Sequence, residues 1–136
     1  NELRIYNEIT RCIMENKNLI MKSDGKSKKS IIYTLDAVSG IFKTLFEGEK
    51  GEVYNVTNPD TFLTVKEFAE RIFAKFNDKV HIEFDISSES ETGYLPHLEI
   101  IQDTEKISKL GWEPITDLYK IYEIDLKRWN FSCGGK

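Results

Sequence analysis

The sequence predicts an α/β fold, built from short strands and several amphipathic helices in a single domain of 136 residues. Three observations carry this. Short β-branched and aromatic runs alternate with stretches whose apolar residues recur every three or four positions. Clear turn chemistry separates the two kinds of stretch. The segment Ser23 to Asn58 reads in order as a basic turn, a strand, a helix, a glycine turn and a second strand, which suggests a parallel crossover.

Within that central segment, Asp24 to Ser30 is polar and carries Lys26, Lys28 and Lys29, a set that either meets a phosphate or is a solvated basic turn. Ser30 to Thr34 is the first expected strand. Asp36 is read as the cap of a helix whose stripe is Val38, Ile41, Phe42, Leu45 and Phe46. Gly48 and Gly51 bracket a turn, and Glu52 to Val56 is the second expected strand.

Before this unit, Leu3, Tyr6, Ile9, Ile13 and Met14 place one apolar stripe on a helix from Leu3 to Lys17. Arg4 stands at its start, where the helix dipole mildly disfavours a cation; it is a surface residue or an anion ligand. Asn16-Lys17-Asn18 ends the helix, and Leu19 to Met21 makes a short strand. After the unit, Thr57-Asn58-Pro59-Asp60 is a loop with clear turn chemistry. Thr64 and Glu67 form a capping box for a helix with Val65, Phe68, Ala69, Ile72, Phe73 and Phe76 facing the core. Val80 to Phe84 alternates as a half-buried strand with His81 outward. Asp85 to Thr92 is acidic, Ser-rich and without periodicity, hence a mobile loop. Asp103 or Thr104 caps a small helix stopped by Gly111, and a last helix runs from about Asp117 to Trp129.

A hydrophobic content of 40% and a charged content of 31% describe an ordinary globular protein, and the net charge of −4 argues against nucleic acid as the main partner. The sequence contains neither a run of 18 apolar residues nor a signal peptide, so no membrane association is expected. Cys12 and Cys133 lie far apart and read as free thiols of a reducing, cytoplasmic compartment. His81 and His97 lack a partner at ligand spacing, so no metal site is expected. The sequence holds no Gly-rich dinucleotide loop, P-loop, GxSxG elbow or HExxH. From the residues alone, then, the chain is an α/β domain with one basic turn that suits an anion.

The ordered motifs add a resemblance. DG-x-x-x-K-S-I-I-Y-x-x-D from Asp24 to Asp36, GEVYNVTN from Gly51 to Asn58, the helix Thr64 to Ile72, and KISKLGWEP from Lys106 to Pro114 resemble segments of the extended short-chain dehydrogenase/reductases that act on nucleotide sugars. The resemblance implies that residues 1–136 are a single C-terminal, substrate-binding region of an epimerase or dehydratase, a Rossmann-type enzyme of polysaccharide biosynthesis. The N-terminal Rossmann domain of that family, with its NAD loop and Tyr-x-x-x-Lys pair, is absent; no tyrosine among Tyr6, Tyr33, Tyr54 and Tyr94 has a lysine four residues on. The implied fragment therefore has no catalytic residue and no cofactor of its own, NAD belonging to the parent enzyme.

The resemblance also assigns roles. Lys29 stands where the family usually places an Arg that meets the diphosphate, and a lysine keeps the charge but loses the bidentate fork. Arg4 matches the Arg near the start of the first helix, Lys22 ends the strand beside the nucleotide base, and Tyr94 lies where many members close a loop over the nucleotide. Where many members carry an Arg a few residues before Tyr94, this chain has Glu91. The expected substrate-binding set is Arg4, Lys22, Lys29 and Tyr94, and the expected partners are a nucleotide sugar and the chain's own N-terminal Rossmann domain. A homodimer follows from the apolar helix Ala37 to Phe46 and the strand Val53 to Val56, which lack their usual sheet. The alternative readings are a non-catalytic nucleotide-binding relative and a protein-interaction module of the same fold.

Overall fold

The computed structural model describes residues 5–86 and 98–133. Its elements, in chain order, are α1 (Ile5–Glu15), β1 (Leu19–Met21), β2 (Lys28–Lys29), α2 (Thr34–Glu47), β3 (Leu63–Thr64), α3 (Val65–Phe76), β4 (Ile82–Phe84), α4 (Glu105–Lys109) and α5 (Leu118–Cys133), with a 3-10 turn at Pro59–Thr61. The architecture is the expected α/β one of short strands among amphipathic helices. Two small sheets form: β1 pairs with β4 in parallel, and β2 with β3 antiparallel.

The core sits between α1, α3 and α5 and under the β1–β4 pair. Ile9, Leu19, Ile72 and Tyr122 are buried there with Phe68 and Phe73. Tyr6, Phe68 and Tyr122 meet edge to face, with ring centroids 5.3 and 5.6 Å apart, the arrangement that ring quadrupoles favour. Each helix end has its own cause. Asn16 takes φ 54° and closes α1, a conformation that asparagine tolerates. The capping box of α3 is complete: Glu67 N–H donates to Thr64 Oγ1 at 3.0 Å, and Thr64 N–H donates to Glu67 Oε2 at 2.9 Å. Asp117 Oδ1 accepts the Lys120 N–H at 2.7 Å and opens α5. Thr104 is the cap residue of α4 without a side-chain bond; Asp103 supplies one, accepting the Glu105 N–H at 2.8 Å.

The central segment departs from expectation. Neither Ser30 to Thr34 nor Glu52 to Val56 forms a strand, and no crossover joins them; the parallel pair among the described residues is β1 with β4. The reason is the lack of a neighbouring strand among the described residues, since an extended segment becomes sheet only when its backbone finds a partner. Ile31 instead donates its N–H to Thr61 Oγ1 at 2.9 Å, and its carbonyl lies 2.7 Å from the same hydroxyl. The 52–58 stretch is held through side chains, Asn55 Nδ2 donating to the Asp103 carbonyl at 2.9 Å and Glu52 pairing with Lys106.

Asp36 is likewise not the cap of α2. That place belongs to Tyr33, whose side chain makes no cap bond. Asp36 lies in the first turn and is buried, and its Oδ2 accepts the Thr116 N–H at 2.9 Å. On the other side of the same residue, Asn58 Nδ2 donates to the Thr116 carbonyl at 3.1 Å. Nearby, Trp112 Nε1 donates to Ser39 Oγ at 2.9 Å and its ring covers Gly40. A Cβ on Gly40 would stand 2.5 Å from Val56 Cγ1, so this contact requires glycine. Asp36→Ala leaves the half-buried Thr116 N–H without its acceptor and is expected to cost about 1–3 kcal/mol of unfolding free energy in urea titration. A cost below about 0.5 kcal/mol would show that the contact does not matter.

Candidate functional site

The basic turn is built against the start of α3. Asp24 organises it, its Oδ1 accepting the Lys26 N–H at 3.1 Å. Gly25 adopts φ 69°, a conformation that side-chain-bearing residues rarely take, and this favours glycine there. The Gly25 and Ser27 carbonyls accept the Lys66 and Val65 N–H groups at 3.1 and 3.0 Å. With Glu67 N–H taken by Thr64, the first three amides of α3 are therefore occupied, and this helix start offers none of them to an anion. Hydrogen bonds from the Thr64 backbone and hydroxyl hold the Glu67 carboxyl below the usual carboxylate range.

The three lysines of the turn differ in what surrounds them. Lys26 Nζ lies 3.2 Å from Asp24 Oδ2. Lys28 Nζ lies 3.0 Å from Glu99 Oε1 and 5.7 Å from the centre of the Phe62 ring. Lys29 is exposed, and its side chain makes no hydrogen bond or ion pair with another described residue. Lys22, just past β1, is also exposed and equally without a side-chain partner among the described residues. Arg4 and Tyr94 lie outside the described residues, as does most of the acidic loop. Lys22 follows β1 of one sheet, and Lys29 lies on β2 of the other.

Directly after Lys29 the chain lines a groove of about 660 Å³, whose walls include Tyr6, Ile32, Tyr33, Ile121, Asp125 and Arg128. Tyr122 forms part of its floor, its hydroxyl donating to the Tyr6 carbonyl at 3.3 Å. Among the described residues no group of three His, Cys, Asp or Glu side chains could hold a metal ion, and no helix is long and apolar enough to cross a membrane. Cys12 is a buried free thiol.

Sequence reasoning did not find the distant contacts of four residues that shape this region: Asp36, Asn58, Thr61 and Glu99. Asp36 looks like a cap because it precedes an apolar stripe. Asn58 was legible as a turn residue, and it does accept the Asp60 N–H at 3.0 Å, but its bond to Thr116 spans 58 residues. Thr61 and Glu99 carry no local pattern.

This fold, with its basic turn beside an open groove, is of a known class: the proteins that this chain resembles in sequence and structure are nucleotide-sugar dehydratases and epimerases of the extended short-chain dehydrogenase/reductase family, and the likeness covers most of the chain. In particular, the chain is 30% identical over 125 residues to UDP-D-apiose/UDP-D-xylose synthase 2 of Arabidopsis thaliana, covering 84% of this chain and 32% of that protein. It is 28% identical over 112 residues to dTDP-D-glucose 4,6-dehydratase of Mus musculus, covering 75% of this chain and 29% of that protein. Among solved structures it superposes on dTDP-glucose 4,6-dehydratase from Bacillus anthracis in complex with NAD, with a TM-score of 0.71 at 19% identity, over 96% of this chain and 40% of that one. UDP-glucose 4-epimerase from Thermotoga maritima with UDP-glucose gives a TM-score of 0.70 at 17% identity, over 97% and 41%. The chain thus spans less than half the length of these proteins. No protein-family model matches it.

Burial pushes the Tyr122 hydroxyl far above the ordinary tyrosine range, with Tyr6 and Asp125 adding to the effect. An acid raised in the folded state contributes stability that is complete below its unfolded pKa and is lost as pH rises. Stability should therefore fall above about pH 10, where unfolded tyrosine ionises. Tyr122→Phe should cost about 1 kcal/mol at neutral pH and reduce this alkaline loss. Equal alkaline loss in the two proteins, followed by urea titration from pH 8 to 11, would assign the loss to other groups.

Proposed function

We propose that this chain is the substrate-binding part of an NAD-dependent nucleotide-sugar epimerase or dehydratase, in which Lys29 takes a phosphate of the nucleotide diphosphate. The observation that carries this reading is Lys29 itself: it lies at the motif position where the family places a phosphate-binding cation, and its ammonium is left without a described partner. A cation so placed fixes the diphosphate and thereby presents the sugar, a role of orientation rather than of bond making. The groove that follows Lys29 supplies a wall for the rest of the ligand.

In this reading catalysis needs a companion NAD-binding Rossmann unit, since the chain has no Tyr-x-x-x-Lys pair. The companion supplies hydride transfer between sugar and NAD, and residues of this chain position the substrate. A docking face is at hand on α2, where Leu35, Ile41, Phe42, Leu45 and Phe46 are all exposed. Val53, from one of the stretches that found no strand partner, is 76% exposed. A patch of this kind marks an interaction site. Left uncovered, the same face would pair two copies of the chain. The free thiol of Cys12 fits a reducing, cytoplasmic setting.

The test is calorimetric titration of the full-length protein with UDP-glucose and dTDP-glucose. Lys29→Ala is expected to weaken binding about tenfold, the loss of one charge-assisted phosphate contact. Unchanged affinity for both ligands would contradict the reading.

A further inference from the structure

All three lysines of the basic turn qualify as phosphate ligands by sequence, yet their surroundings divide them. Lys28 and Lys29 are consecutive residues of β2, so their side chains leave opposite faces of the strand. On the Lys28 face stand the Glu99 carboxylate at 3.0 Å and the Phe62 ring, and the Lys28 charge also reaches the Glu67 carboxylate. The Lys29 side chain has no described partner.

The Lys28–Glu99 pair does not stand alone. It sits on a parallel bridge between the same two residues, flanked by a bond from Lys28 N–H to the Leu98 carbonyl at 2.9 Å and one from Leu98 N–H to Ser27 Oγ at 3.3 Å. Residues 98 and 99 thus lie along one edge of β2 while β3 lies along the other. Both charged side chains are about half exposed, so an isolated pair would contribute little stability. Its place on a short backbone bridge gives it a different role.

Resting on the proposed reading of the site, we infer that Lys28 is a positioning residue and not a phosphate ligand. With Glu99 it tethers residues 98 and 99 to β2, and it leaves Lys29 as the cation of β2 that meets the anion. The two roles predict opposite results when Glu99 is changed. If Lys28 bound phosphate, removing the competing carboxylate would free it and tighten binding. If Lys28 is a tether, removing the carboxylate loosens the edge of β2 and weakens binding.

The experiment is titration of the full-length protein with UDP and with dTDP, on the wild type and on Lys29→Ala, Glu99→Gln, Lys28→Glu and the charge-reversed pair Lys28→Glu/Glu99→Lys. Glu99→Gln and Lys28→Glu should each weaken binding about threefold, and the reversed pair should return to within about twofold of wild type. Tighter or unchanged binding in Glu99→Gln overturns the inference, and so does a reversed pair as weak as Lys29→Ala. If Lys29→Ala loses affinity while the reversed pair shows no rescue, the inference fails and the proposed function stands. If the wild type binds neither UDP nor dTDP, the proposed function fails and this inference with it.

Discussion

One residue, Thr116, is gripped from both sides by buried side chains. Asp36 accepts its N–H and Asn58 donates to its carbonyl. These two bonds join three parts of the chain that no sheet connects: the start of α2, the end of the 52–58 stretch, and the segment that leads into α5. From Asn58 the connection continues. The Thr61 hydroxyl lies 2.8 Å from the Asn58 carbonyl and takes up both polar groups of Ile31, two residues beyond Lys29. The backbone beside the basic turn is therefore set by side-chain bonds of residues distant in sequence. In a buried, weakly polarisable setting such a network has to be complete, because each orphaned group is costly. Among the described residues no buried side-chain nitrogen or oxygen lacks a partner.

Local chemistry was readable and distant chemistry was not. The stripes of α1 and α3, the capping box at Thr64, the short strand β1 and the Asn58 turn each depend on residues a few positions apart, and each formed as the sequence implied. Ser30 to Thr34 has the composition of a strand but lacks a strand to pair with, so propensity alone misled. Asp36 carries a local signal that a distant contact overrides. The lysines show the same limit at the candidate site: charge and order pick out all three, whereas the choice among them depends on Asp24 and Glu99, the latter 71 residues from Lys28.

The two stretches that failed to form strands and the apolar face of α2 share one explanation. A helix with Leu45 and Phe46 more than two-thirds exposed is left uncovered by the described residues. The nucleotide-sugar enzymes that the chain resembles are more than twice its length, and a companion unit of that kind would cover such a face. In the proposed reading, function divides along the same line, with substrate held on this side and cofactor on the companion.

The most direct test of the central grip is amide hydrogen exchange of Thr116 and Ile31 in the full-length protein. If the network holds these segments together, both amides exchange only with global unfolding, at the rate of core amides such as those of α3. Exchange of either amide at the rate of an exposed loop would mean that the Asp36–Thr116–Asn58 network opens on its own, and that the basic turn is positioned by something else.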